Sequence, residues 1–314
     1  MLAALAVVKL ATPAQLRRLL PTARGDKAVR NALNDLARHR LATSDGREGA
    51  EYRKIWRLTP AGQRAALALL PAGTAPGGTG EGAARTGARH AMAVTDTIAA
   101  FVASGVGGPV QHWRTEAVHP LDGRRRVIPD AVLYAPGTAV PLLTVEVDRD
   151  TMGAQRVAAK LPAYLEYYQR RTKTPIDGTH QVWQQTYPGA TSPEGSYPPL
   201  ALVLADITDA RARTWTDEFA ALTRQHWRGT RADREGRAVS YWRTVPIVVT
   251  TLPELLADGP AAPIWHRLGH AALEPLVVAL DDPDGRRLAD VEARERVARL
   301  RATPPPLPDP WGST

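Results

Sequence analysis

Apolar positions along the chain change rhythm several times, and each change marks an element. Leu2, Leu5 and Val8 recur every third residue, which predicts a short first helix. Thr12-Pro13 then offers an N-cap with proline at the first helical position, so a second helix is expected over residues 14–20, ended by Pro21. Asp26 opens a third, in which Val29, Leu33 and Leu36 form the apolar stripe and Lys27, Arg30, Asn31, Asn34 and Arg38 lie off it. After Ala42-Thr43-Ser44 and a turn at Asp45-Gly46, alternation over residues 52–58 predicts a strand with Tyr52, Lys54, Trp56 and Leu58 on one side. Leu58-Thr59-Pro60-Ala61-Gly62 starts a further helix.

A glycine-dense stretch without apolar period, residues 71–89, reads as a flexible connector between a first domain over residues 1–70 and a second over 90–302. The second is expected to begin with a helix over residues 90–103, followed by strands over 110–118, 126–134 and 140–147. A long helix capped by Thr151 follows, with Val157, Leu161, Tyr164, Leu165 and Tyr168 on its buried stripe. Residues 200–206 are a continuous apolar run of the kind found in a strand covered on both faces. A strand over 245–250 and helices near 252–256 and 291–300 extend this order, and the proline-rich residues 303–314 form an extended tail. The class is α/β (α+β), with a core order α-β-β-β-α-β.

Composition narrows the setting. The chain has 314 residues and no cysteine, which excludes disulfides, thiolate metal sites and a cysteine nucleophile. No window is long and apolar enough for a membrane span, and the first residues are too short for one, so a soluble, cytoplasmic protein is expected. Residues 1–70 carry 13 Lys/Arg against 5 Asp/Glu, a surplus equal to the +8 of the whole chain. All the excess positive charge therefore falls on the first module, as expected of a binder of double-stranded DNA. Three helices and a hairpin in that module resemble a winged helix-turn-helix, with helix three offered to a major groove and Arg47, Arg53, Lys54 and Arg57 offered from the wing.

The chemistry lies in the second module. Asp130 follows Pro129 on the second expected strand, and Glu146 and Asp148, two residues apart, share one face of the third. Three carboxylates so placed suit Mg²⁺ or Mn²⁺, which prefer hard oxygen ligands. Glu116, on the first strand, is a fourth acidic candidate, and Arg114 or Arg126 a phosphate clamp; a structural role for the acids, paired with Arg124, Arg125 or Arg126, is the alternative. The outline resembles PD-(D/E)xK nucleases of restriction-endonuclease type, except that Asp148 stands where their lysine would be. Lys160, on the following helix, is the substitute for that lysine.

Trp113 and Glu116, Ile128-Pro129-Asp130, Val145 through Thr151, and Lys160 with Tyr164 together resemble the replication-relaxation family of plasmids and integrative elements, over roughly residues 1–207. That family carries Arg-Pro-Asp, Glu-x-Asp-x-x-Thr and Lys-x-x-x-Tyr; Ile128 replaces the arginine, a change that bears on a phosphate contact and spares the acidic ligands. The family is similar in turn to mobilisation relaxases with a PD-(D/E)xK core. The resemblance implies a metal-dependent, site-specific nickase at an origin of transfer or replication, with Asp130, Glu146, Asp148 and Lys160 catalytic. It also implies plasmid replication or conjugation proteins as partners, and a homo-oligomer as one option. Tyr164, Tyr167 and Tyr168 are open as nucleophiles, although aromatic residues on a helix stripe are more commonly core. Two other classes stay open: a non-catalytic DNA-binding regulator or replication accessory with a degenerate nuclease fold, and a transcription factor with an unrelated sensor domain.

Overall fold

Capping and apolar spacing put the first elements close to where the sequence predicts them. The computed structural model describes residues 1–20, 25–48, 53–70, 80–150, 152–174, 178–192, 196–229, 241, 243–281, 294, 297 and 298. It begins with α1 (Leu2–Val8), α2 (Pro13–Leu19) and α3 (Asp26–Arg38). Thr12 caps α2 through a reciprocal pair: its Oγ1 accepts from the Gln15 N–H, and the Gln15 side chain accepts from the Thr12 N–H. The hairpin β1 (Ala42–Glu48) and β2 (Arg53–Leu58) is antiparallel, and α4 (Pro60–Leu67) follows it. The turn expected at Asp45-Gly46 is instead strand, with a register shift between Ser44 and Arg47. Residues 49–52, with Tyr52, lie outside the described residues.

The long element α5 (Gly80–Ser104) begins ahead of its predicted start at residue 90 and is broken at Gly87, whose backbone is not helical, so the latter part of the expected connector is a short helical stretch kinked against the main helix. Residues 71–79 lie outside the described residues. The main helix also accounts for a buried residue of the hairpin. Alternation puts Ile55 on the face opposite Trp56 and Leu58, and Ile55 is buried there with Leu10 and Met92 because α5 covers that face of the hairpin. Leu5, Leu16, Leu33, Trp56 and Leu58 join Ile98, Phe101, Leu133, Val145 and Trp265 in one apolar cluster, so the first module shares its core with the rest.

Beyond α5 come β3 (Trp113–Thr115), β4 (His119–Pro120), β5 (Arg126–Val127), β6 (Ala131–Tyr134) and β7 (Leu142–Asp148). Then follow α6 (Gly153–Ala158), α7 (Leu161–Gln169), β8 (Arg171–Thr174), β9 (Gly178–Gln181), α8 (Val182–Thr186), β10 (Leu200–Leu204) and α9 (Asp209–Trp227). The described elements close with β11 (Ile247–Thr251), α10 (Leu252–Asp258), β12 (Trp265–Arg267), β13 (Leu273–Glu274) and α11 (Leu276–Leu280). Seven strands make one mixed sheet in the order β13-β12-β11-β10-β7-β6-β3, with β7, β10 and β11 parallel and the outer pairs antiparallel. The fold is therefore mixed α/β.

Two expected elements are divided. The strand over residues 126–134 is split by Pro129, which cannot donate to a ladder: β5 pairs with β4 in a separate small hairpin, and β6 joins the main sheet. The single helix after β7 breaks at Ala159 and Lys160, because Pro162 fits only the first turn of a new helix. Thr151, expected as its cap, lies outside the described residues, as do the tail 303–314 and most of the helix expected over 291–300.

β7 is buried along its whole length. Leu143, Val145 and Val147 face the cluster that contains α5, whereas Leu142 faces the one built from α6, α7 and α9. Glu146 and Asp148 share the parity of Leu142, so two carboxylates point into the interior beneath α6, α7 and α9.

One close approach fixes how α4 sits against the segment between α3 and β1. A Cβ built on Gly62 would sit 1.8 Å from the carbonyl oxygen of Leu41, which is backbone and cannot step aside. Gly62→Ala is expected to lower stability by about 1–3 kcal/mol through forced displacement of the backbone. Urea denaturation checks this; an unchanged midpoint would mean that α4 shifts freely.

Candidate functional site

The first carboxylate is placed by a strand that stops early. Register across β6 and β7 begins at Ala131 opposite Val145, which would bring Pro129 opposite Val147. The side chain of Asp130 takes that place: its Oδ2 accepts from the Val147 N–H at 2.7 Å. Its Oδ1 accepts from Nε2 of His90, on α5, at 2.9 Å, and its backbone carbonyl accepts from the Glu116 N–H at 3.2 Å. The hydrogen bond to Asp130 holds the His90 imidazolium above its ordinary range.

Glu146 is fully enclosed. It is 3 % exposed, and its Oε2 accepts from Nζ of Lys160 at 2.6 Å while its Oε1 accepts from the Tyr164 hydroxyl at 2.5 Å. Burial first, and then the charge of Asp130, pushes its carboxyl up to about 7 against the pull of Lys160. Burial pulls the Lys160 ammonium down, but Glu146, and after it Asp130 and Asp148, more than offset this and hold it above its usual value. Lys160 thus lies in the field of all three acids from the break between α6 and α7, the place that Pro162 creates.

Asp148 is turned elsewhere. Its Oδ2 accepts from the indole N–H of Trp215, on α9, at 3.1 Å, and its Oδ1 accepts from the Met152 N–H at 3.4 Å, where α6 begins. Among the described residues, no three His, Cys, Asp or Glu side chains are grouped to hold a metal ion. The expected trio of Asp130, Glu146 and Asp148 is therefore a pair with a third acid beside it. Glu116 is drawn off by Lys9, with which it forms an ion pair.

The remaining predicted residues divide in the same way. Arg114 lies over the rings of Tyr134 and Tyr187, 5.3 Å from each centroid, and Arg126 is exposed on β5. Tyr164 is 2 % and Tyr168 3 % exposed, both packed as core, and the Tyr168 hydroxyl lies 2.9 Å from that of Thr144. Tyr167, buried as well, donates to Thr186 at 3.0 Å. Burial keeps all three phenols protonated, so Tyr164 serves as a donor to Glu146.

On α3, Lys27, Arg30, Asn31, Asn34 and Arg38 are all exposed, with Arg38 paired to Asp35 at 2.9 Å. Lys54 is exposed and Arg57 half-buried on β2, while the side chains of Arg47 and Arg53 lie outside the described residues. His90 and Trp215 are the partners that sequence reasoning missed. His90 was visible only as the start of a helix, and α9, with Thr208 as its cap and Trp215 and Phe219 one turn apart, was not predicted.

The sequence profile of the replication-relaxation family matches residues 2–182 of this chain, more than half its length. The chain belongs to the replication-relaxation family. No curated protein and no solved structure matches it significantly. Membership points to a part in replication or DNA relaxation, with DNA and replication-related partners. The match takes in Asp130, Glu146, Lys160 and Tyr164 and ends before β10, so Trp215 and the parallel strands β10 and β11 lie outside it. No helix among the described residues is long and apolar enough to cross a membrane.

The enclosed pair sets a pH-dependent expectation. Without Lys160, Glu146 loses its counter-charge, and its folded-state pKa rises further above that of the unfolded chain. The folded state then holds a proton that the unfolded state has released, so stability falls as pH rises. Lys160→Met is expected to cost about 2–3 kcal/mol at about pH 8, a figure reduced for the partial exposure of the lysine, and distinctly less at about pH 5. Urea midpoints at the two pH values check it; an equal loss at both would mean that Glu146 is not the group affected.

Proposed function

We propose that this member of the replication-relaxation family binds duplex DNA through its N-terminal module and nicks one strand at an origin of transfer or replication in a metal-dependent reaction. The observation that carries the reading is the set Asp130, Glu146 and Lys160: two neighbouring carboxylates, at the end of one strand and within the next, and a lysine whose charge meets both. The donor set fits Mg²⁺ or Mn²⁺. Its oxygens are hard, and burial first, then the charge of Asp130, raises the proton affinity of Glu146, so a bound cation would stabilise the ionised carboxylates there. Held by Asp130 and Glu146, such an ion would polarise a phosphodiester and make a bound water more acidic.

The chain's own residues supply orientation and charge. Lys160 reaches Glu146 from the helix break and would meet the charge that develops on phosphate oxygens. Tyr164 fixes the other oxygen of Glu146, and His90 and the Val147 N–H fix Asp130, so neither carboxylate is free to swing. Asp148, bound to Trp215, ties α9 to the end of β7. On the DNA side, the order of three helices and a hairpin supports a winged-helix reading, in which the polar residues of α3 face the major groove and Lys54 and Arg57 face phosphate.

A second reading is favoured by one observation: both oxygens of Asp130 and both of Glu146 already accept hydrogen bonds within the chain. A closed polar cluster of this kind suits a catalytically silent DNA-binding accessory equally well.

Supercoiled DNA carrying the element's own origin separates the two. With Mg²⁺ or Mn²⁺ the protein is expected to convert it to the open circle, and Asp130→Ala or Glu146→Gln to slow conversion at least about a hundredfold while DNA affinity changes less than about threefold. Lys27→Ala and Arg30→Ala are expected to weaken binding on all sequences and each to lower the salt slope by about one. DNA that stays intact on every origin sequence, or nicking unaltered in Asp130→Ala, would leave the accessory reading.

A further inference from the structure

Two residues with positive φ meet one another. Lys9, just past the end of α1, has φ 67°, and Glu116, just past β3, has φ 50°. Residues with a Cβ adopt positive φ at a cost and persist there where surrounding structure holds them. The position after a helix end is one where glycine is common, so a lysine there is the more unusual. Its ammonium forms an ion pair with the Glu116 carboxylate, with the lysine side chain 5 % and the glutamate 50 % exposed. Beside it, the Thr115 hydroxyl donates to the carbonyl of Val7 at 2.5 Å, so the end of α1 and the end of β3 are joined twice.

That junction adjoins the carboxylate site by a single bond. The Glu116 N–H donates to the carbonyl of Asp130, the residue whose side chain completes the β6–β7 edge. A second line of contacts reaches the same residue from the other side. Arg18 on α2 pairs with Asp96 on α5, Gln15 donates to the carbonyl of Met92 at 3.3 Å, and Thr95 donates to the carbonyl of Leu10 at 2.8 Å. These bonds seat the N-terminal module on the helix that carries His90, and His90 holds Asp130.

We propose that Lys9 is a positioning residue for Asp130: the N-terminal module, locked by Lys9 to Glu116 and by Arg18 and Gln15 to α5, sets where the Asp130 carboxylate stands. The module that reads DNA is thereby also part of the wall of the site. This deepens the nickase reading and rests on it for its effect on cleavage, but the placement of Asp130 can be read without cleavage.

The test uses the full chain in three forms. Lys9→Gly removes the charge and relieves the positive-φ backbone; Glu116→Gln, at a half-exposed side chain, removes the same pair from its other end; Lys9→Arg keeps the charge. Hydrogen exchange is followed at the amides of Glu116 and Val147, which both bond to Asp130. Exchange at the two amides is expected to rise at least about tenfold in Lys9→Gly and in Glu116→Gln, to return toward the wild-type rate in Lys9→Arg, and to do so without a lower melting temperature in Glu116→Gln. Nicking is expected to fall by about tenfold in the first two and to recover in the third, with DNA affinity unaltered. Wild-type exchange at both amides in Lys9→Gly and Glu116→Gln would overturn the positioning role. Faster exchange together with a wild-type protein that never nicks would keep the positioning role and sink the nickase reading instead.

Discussion

Two carboxylates on a strand that is buried on both faces are the constraint around which this structure is arranged. Ionised carboxylates do not enter an interior without partners, because desolvation alone exceeds what most single contacts return. Glu146 and Asp148 therefore dictate what must cover β7: a lysine and a tyrosine over the first, an indole and a helix start over the second. The break between α6 and α7 follows from this, since Lys160 reaches Glu146 from the N-cap of α7, whose first turn contains Pro162. The position of α9 follows as well, through Trp215.

The opposite face of the sheet obeys a simpler rule. Val145 and Val147 pack into a continuous apolar layer that passes through α5 into the first module and ends at Trp56 and Leu58. The exposed polar residues of α3 thus stand on the same core as the acids. Charge is segregated accordingly, with the basic surplus on the first module and the paired acids inside the second.

Much of this was legible in the sequence, for reasons that also mark where legibility ends. Alternation places Glu146 and Asp148 on one face of β7, and the Pro-Asp step places Asp130 at a strand end, because both are local properties of extended backbone. Alternation does not say which helix lies over that face. Alternation offers Asp148 as a ligand without showing that Trp215, from the unpredicted α9, donates to it, and groups Glu116 with the acids without showing its ion pair with Lys9, far off in sequence. His90 escaped for the same reason: its meeting with Asp130 crosses from a helix to a strand end. Arg114 shows a further limit, for its stacking on Tyr134 and Tyr187 depends on side chains brought together only by the fold. Pro129 and Pro162 divide an expected strand and an expected helix, since each removes a backbone donor within an otherwise continuous apolar pattern.

The run of α5 through both halves has a consequence for the exchange of parts. A helix that completes the core of the first module and also roofs the sheet couples the two, and neither half can be exchanged for a foreign one without taking packing partners from Met92 on one side or Phe101 on the other. A foreign half would then have to bring matching apolar side chains to both faces of α5, so the first module and the sheet are held to change together.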